Sequence, residues 1–386
     1  MIESINDFLD KREEVMIEEL KKLVNIDSGS YTKEGIDKII NLYKKRFTEL
    51  GFKVKIDQQE EYGNNLIAKY EGDLSGNYLF LGHVDTVFKE GTVEERPFEI
   101  EGDYAYGPGV CDMKGGVVLL YNALKALIES NSNKLPDITV ILNGDEEIGS
   151  PTSRSIIEKE GRKASHCFVL EPGREDHSLV TYRKGVGIFD LQVQGVASHA
   201  GSKHEKGRSA IEELARKIID IHQLTDYDRG VTLNVGVIEG GERSNIVAEK
   251  AKAAIDLRVD KLEDGEKMER KLEQIAENKY IDGTESSLTG GMNRPPMKKT
   301  DKAEKMYEVF KGIGNDLGME IGEQSTGGGS DGNFVSALGV PTIDAFGPVG
   351  TNAHSDKEYI EVDTLVSRAK LLAQGILELS DRYLSS

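Results

Sequence analysis

Five short stretches end apolar runs in side chains able to do chemistry. LFLGHVDTV sets His83 and Asp85 two residues apart, so on a strand both leave the same face. A histidine beside a carboxylate is the pattern of a metal ligand and the group that fixes its ring; a histidine near a loop aspartate gives the same letters. YGPGVCDMKGGVVLLYNALKAL places Asp112 at the head of a helix, as an N-cap or as a ligand. Gly115 and Gly116 are poor helix formers, so their place in the first turn implies a close backbone approach. Cys111, beside Val110, reads as a small packing residue. ITVILNGDEEIGS closes a strand-type run with Gly144 and the carboxylates Asp145, Glu146 and Glu147, which repel unless water or a cation screens them. VLEPG adds Glu171, and PVGTNAHSDKEYI adds His354.

Imidazole and carboxylate together suit zinc, and two zinc ions about 3.5–4 Å apart need a carboxylate that bridges them. Three carboxylates, Asp112, Glu147 and Glu171, against two dications leave one positive charge that a hydroxide neutralises. Bound water would then ionise near pH 7, and a carboxylate outside the ligand shell must take its proton and return it to a leaving group. Cobalt and manganese accept the same ligands, so donor type does not select the metal.

These residues need elements to carry them. From Tyr78 the chain alternates: strand YLFLGH, a helix from Met113 to about Ser130, strand ITVIL, a short helix after Ser150, and strand HCFVLEP. Strands separated by helices pair in parallel through crossovers, and ligands collect at the carboxyl ends of such strands. Near Gly185 the rhythm changes to strand 186–195, helix 208–224, strands 231–239 and 251–259, helix 264–279 and strand 284–290, the ferredoxin-like order. After NRPP, the strand VPTIDAF and a C-terminal helix restore the first texture. The expected fold is α/β with a mostly parallel central sheet: a catalytic domain of residues 1–184 and 297–386, interrupted by an α+β insertion at 185–296.

The 386 residues suffice for two or three domains. A net charge of -19, without a Lys/Arg cluster, argues against nucleic acid and anionic membranes. No run of about 18 apolar residues exists to span a bilayer. Two cysteines, Cys111 and Cys167, outside any CxxC pattern fit a reducing cytoplasm.

GHVDTV, YGPGVCDMKGG, NGDEEIGS, LEPG, GVASHAG, TGGGSDG and AHSDKEYI resemble, in order and approximate spacing, motifs of the glutamate carboxypeptidase, aminoacylase and succinyl-diaminopimelate desuccinylase superfamily of di-zinc hydrolases. RPFEIEGDYAYGPG brings the likeness nearest to the glutamate carboxypeptidase branch. The resemblance covers nearly the whole chain and implies a zinc-exopeptidase-like catalytic domain with a ferredoxin-like lid that dimerises. It implies two zinc ions per subunit, with His83 and Glu171 on one, Glu147 and His354 on the other, and Asp112 between them. Asp85 resembles the aspartate that orients the imidazole, and Glu146 the general acid/base. Asp145 is left as a loop charge. His199 in ASHAG resembles a histidine that reaches across the dimer to help hold an oxyanion. Asn245, Arg258 and Arg294 match lid positions that bind substrate, and an arginine fork suits a carboxylate.

STGGGSDG lacks the Lys-Ser/Thr of a phosphate loop. Its GGSDG has the letters of a serine nucleophile elbow at Ser330, yet Gly327–Gly329, centred on Gly328, looks more like a substrate-contacting loop of the zinc family. His166, His177, His204 and His222 read as structural or exposed. The expected activity is metal-dependent release of a C-terminal amino acid from a small peptide or N-acyl substrate by metal-bound hydroxide, with Glu146 as base. An N-acyl-amino-acid deacylase or a dipeptidase is the nearest rival, and a catalytically silent binding protein the remote one.

Overall fold

A computed structural model describes residues 2–130 and 135–384, which cluster into two units. The first comprises residues 1–182, 297–325 and 330–386, and the second residues 183–296 with 326–329.

The first unit is built on β1 (Lys53–Asp57), β2 (Asn65–Tyr70), β3 (Leu74–His83), β4 (Pro136–Asn143), β5 (His166–Val169) and the short strand Thr342–Ile343. The sheet order is β1-β2-β4-β3-β5 followed by Thr342–Ile343. β1 and β2 run antiparallel to their neighbours, whereas β4, β3, β5 and Thr342–Ile343 are mutually parallel. Parallel strands covered on both faces read as unbroken apolar runs, and Tyr78 to His83 are all buried. Helix α1 (Gly115–Glu129) is buried from Gly115 to Leu127 except at Lys125, as an all-round apolar helix must be. The close approach expected at its first turn is present: a Cβ on Gly116 would lie 2.1 Å from the Leu170 carbonyl oxygen. Since β3, β4 and β5 point the same way, His83, Asn143 and Val169 end on one edge of the sheet.

The second unit runs β6 (Gly185–Gln194), α2 (Ala210–His222), β7 (Thr232–Gly240), β8 (Lys250–Val259), α3 (Leu262–Glu277) and β9 (Glu285–Arg294). All its pairings are antiparallel, in the order β7-β8-β6-β9, which is the ferredoxin-like arrangement. Burial alternates along β6 and β8, so one face, with Phe189, Leu191, Ile255 and Leu257, packs on Leu214, Ile221, Met268 and Leu272 of the helices. Ser209 caps α2 by accepting the Glu212 N–H at 3.2 Å. Lys217, fully buried, ends α3 by donating to the Ile275 and Ala276 carbonyls and is paired with buried Glu213.

Candidate metal centre

The carboxyl edge of the first unit's sheet gathers the histidines and carboxylates. His83 Nε2 lies 3.0 Å from Asp112 Oδ1 and 3.9 Å from Glu171 Oε1. His354 Nε2 lies 3.1 Å from the other oxygen, Asp112 Oδ2, and 3.2 Å from Glu147 Oε2. Asp112 thus presents one carboxylate oxygen to each imidazole, the disposition of a bridging ligand. One donor atom each from His83, Asp112 and Glu147 lies within 4.8 Å of the others.

The electrostatics are those of a group of donors suited to a cation. Burial works against a charge on His83, but the bonds to Asp112 and Asp85 outweigh it and hold the pKa well above the ordinary imidazole value. Bonds to Asp112 and Glu147 raise His354 to about 11. Burial pushes Asp112 up, yet the two imidazoles prevail and lower it. Glu147 and Glu171 are raised, first by burial and then by neighbouring carboxylates. Raised imidazoles and raised carboxylates both follow from an excess of negative charge, which a dication held by neutral imidazole and ionised carboxylate would offset. Glu147 Oε1 is buried with no hydrogen-bond partner, a cost that a ligand would remove. The donor set fits divalent metal.

A second group of residues holds the candidate ligands. His83 Nδ1 lies 3.0 Å from the Asp85 carbonyl oxygen and 3.4 Å from Asp85 Oδ1. The buried Asp85 carboxylate also accepts the Ser30 hydroxyl at 2.7 Å and the backbone N–H groups of Glu146 and Glu147 at 3.2 and 3.1 Å. Asp145 is not the solvated loop charge its sequence suggests. It is fully buried and accepts the Thr152 N–H and hydroxyl at 2.6 and 2.7 Å and the Ser153 hydroxyl at 2.5 Å, closing the turn that carries Glu146 and Glu147. Lys114 is buried and donates to the Ile26 and Pro108 carbonyls; burial lowers its pKa to about 8. Glu358, also buried, accepts three backbone N–H groups around Asp112, and burial raises it to about 7. Ser330 is buried with its hydroxyl on Asp344, which does not suit a nucleophile, and Cys111 is buried as a packing residue.

Within the second unit the remaining residues form two groups. His199 and Asn245 share a short two-stranded ribbon in which Ser198–His199 pairs with Ile246–Val247 and Ala200 N–H donates to the Asn245 carbonyl at 2.9 Å. His199 is exposed, and its Nδ1 accepts the N–H groups of Gly201 and Ser202. That leaves Nε2 as the proton-bearing nitrogen. Arg258 and Arg294 both pair with Val186, one from each side of β6. Arg258 Nη1 donates to the Gly327 carbonyl, while Nε and Nη2 engage Asp256. Arg183, which the sequence reading passed over, donates to the Gly328 carbonyl at 3.3 Å. A Cβ on Gly329 would meet Arg294 Cδ at 2.9 Å. Three arginines therefore border the glycine loop.

The sequence pattern of Peptidase family M20/M25/M40 matches residues 79–378. Carboxypeptidase G2 of Pseudomonas sp. (strain RS-16) is 32% identical over 374 residues, covering 94% of this chain and 89% of that protein. Succinyl-diaminopimelate desuccinylase of Rickettsia massiliae (strain Mtu5) is 26% identical, covering 90% and 95%. Among solved structures, aminopeptidase PepT from Bacillus cereus ATCC 10987 superposes with a TM-score of 0.76 at 26% identity, covering 96% and 99%. A family match from the strand that delivers His83 to the C-terminal helix encloses all five candidate ligands, and the protein accordingly belongs to peptidase family M20/M25/M40, as a metal-dependent hydrolase of peptide or amide bonds.

Proposed function

We propose that the protein is a di-zinc exopeptidase that hydrolyses the amide bond to a C-terminal amino acid in the manner of a glutamate carboxypeptidase. The observation that carries this reading is Asp112 set between His83 and His354, with Glu147 and Glu171 beside them. His83, Asp112, Glu147, Glu171 and His354 would hold two divalent ions, which when bound acidify water and polarise the scissile carbonyl. Glu146, fixed through its N–H on Asp85, takes the proton from the attacking water and passes it to the leaving amine. His199, with its Nε2–H free to donate, stabilises the negative charge that develops on the carbonyl oxygen. Arg258 and Arg294, with Asn245 and the loop around Gly328, receive the substrate, and the guanidinium groups pair with its carboxylate.

A homodimer through the second unit completes this reading. Eight residue steps separate Val186, beside both arginines, from Gln194, beyond which the His199 ribbon begins. At a strand rise of about 3.3 Å this is roughly 25 Å, whereas a dipeptide spans only about 7 Å. That separation along β6 favours a site in which the arginines of one chain act together with the histidine of a partner. Val237 and Ile238 on edge strand β7, and Ile211 and Ile219 on α2, are exposed apolar residues of the kind an interface covers. The two buried free thiols support a cytoplasmic site of action.

Deacylation of N-acyl amino acids and dipeptide cleavage use the same chemistry, and relatives named desuccinylase and aminopeptidase keep that second reading in place. A panel on zinc-reconstituted protein tests the choice. Release of glutamate from peptidyl or N-aroyl glutamates should exceed deacetylation of acetyl amino acids, and a chelator should stop both. Faster deacetylation would favour the second reading; turnover indifferent to chelator would refute both.

A further inference from the structure

Glu358 lies four residues after His354 and is 1% exposed. Its Oε2 accepts the N–H of Gly109 at 3.0 Å, and its Oε1 accepts those of Cys111 at 2.8 Å and Asp112 at 3.0 Å. Both oxygens are thus occupied by main chain, so Glu358 is placed behind the ligand group rather than in it. The segment that it binds is irregular: Gly109 is left-handed at φ 75° and Asp112 is extended at φ -114°, ψ 97°. Such N–H groups have no helical acceptor, and burying them unsatisfied is costly. Glu358 is itself held, because the next residues, Tyr359–Glu361, pair with Tyr104–Tyr106. On its other side, Ser355 N–H bonds the Asn352 carbonyl and Lys357 N–H bonds Ser355 Oγ, closing the loop that presents His354. One carboxylate therefore ties together two segments 246 residues apart in sequence, one bearing Asp112 and the other His354.

We propose that Glu358 is a positioning residue: by gathering the N–H groups of Gly109, Cys111 and Asp112, it holds the Asp112 carboxylate between the two imidazoles and so sets the affinity of the metal centre. The inference rests on the metal-centre reading above. Glu358→Gln keeps the size of the side chain but turns an amide N–H₂ towards at least one backbone N–H. Groups that orient metal ligands from behind contribute about 10–100-fold in metal affinity.

The test is Co²⁺ titration of metal-free protein, read by visible absorption and by metal content after dialysis, with folding checked by circular dichroism. Glu213→Gln serves as the control, because Glu213 is a buried carboxylate of the second unit that also accepts backbone N–H groups, those of Tyr280 and Ile281. The expected result is a folded E358Q with Co²⁺ affinity weakened about 10–100-fold and an altered spectrum, beside an E213Q that loses stability but binds Co²⁺ as wild type does. E358Q with wild-type affinity and spectrum overturns the proposal. If E358Q does not fold, Glu358→Asp takes its place; loss of fold in both shows a purely structural role and overturns it too. Failure of the wild-type protein to bind Co²⁺ would instead remove the metal centre itself, and the proposal with it.

Discussion

Asp85 accepts the backbone N–H of Glu146 at 3.2 Å through the same carboxylate oxygen that lies 3.4 Å from the ring nitrogen Nδ1 of His83. One buried carboxylate therefore sets both the imidazole at the end of β3 and the turn that carries Glu146, the proposed proton carrier.

Asp85→Asn retains one acceptor oxygen but aims an amide N–H₂ at a donor. The expected loss is about 10–100-fold in kcat, with the protein still folded. KM should change little, because no substrate contact is removed. Steady-state kinetics at saturating metal check this, and an unchanged kcat would show that the His83 ring and the 145–150 turn hold themselves.

The element order from Tyr78 onward is legible because its signals are local: apolar strands buried on two faces, alternating strands buried on one, and helices with an apolar stripe; the antiparallel strands β1 and β2 before it are not. The reading of β6 to β9 needs only their spacing, and it falls within a few residues of Gly185–Gln194 and Glu285–Arg294. Ligand candidates are legible for the same reason, since His83, Glu147 and Glu171 follow strand ends. Asp145 is misread because its partners, Thr152 and Ser153, lie across a turn whose closure no periodicity announces. Glu358 escapes notice because an acid among Ser355, Asp356 and Lys357 has the composition of a solvated loop, and its partners lie about 250 residues away. Arg183 is hidden by Lys184 beside it, a pair that reads as surface charge. Long-range hydrogen bonds leave no periodic trace, so buried polar supports are what local patterns lose.

Glu146→Gln should remove turnover while leaving metal content unchanged, as the proposed mechanism assigns Glu146 to proton transfer and not to the ligand set. General acid/base catalysis contributes about 10²–10⁴-fold, so residual activity should fall at least a hundredfold. Metal analysis on the same preparation separates loss of proton transfer from loss of metal. Substantial turnover in the folded variant would refute the assignment.

Chelation should act on one unit alone. All five candidate ligands lie in the first unit, and metal at 100 times its Kd adds about 2.7 kcal/mol per site to the state that binds it. Calorimetry should show the transition of the first unit falling on chelation by several degrees, and that of the second unit unmoved. A shift of both by the same amount would mean that the units unfold as one.

His166 gives a pH dependence remote from the ligands. It is 5% exposed on β5, edge-on to Tyr78 at 5.0 Å, and burial lowers its pKa to about 4. The unfolded chain binds the proton near pH 6.5 and the folded chain only near 4, so stability from this group is complete above 6.5, declines as pH falls, and is level below 4. Between pH 7 and 5 the loss is about 2 kcal/mol. Urea midpoints of metal-free wild type and His166→Phe should diverge by this slope across that window, and parallel curves would show that His166 is charged in the folded state.

The distance along β6 makes a prediction about subunits. If His199 serves the partner's metal centre, His199→Ala and Glu146→Gln damage different halves of each composite site. In a mixed dimer, the His199→Ala chain supplies an intact Glu146, the Glu146→Gln chain supplies an intact His199, and one of the two sites is whole. Random exchange in a two-fold dimer makes about half the dimers mixed, so equal mixtures should recover about a quarter of wild-type activity. Each parent alone should be at least about a hundredfold impaired, the usual effect of losing an oxyanion donor or a proton carrier. Recovery must grow with time after mixing, as dimers exchange. If subunits demonstrably exchange and activity stays at the level of the parents, His199 acts within its own chain and the roughly 25 Å of β6 between Val186 and Gln194 does not keep it from the site.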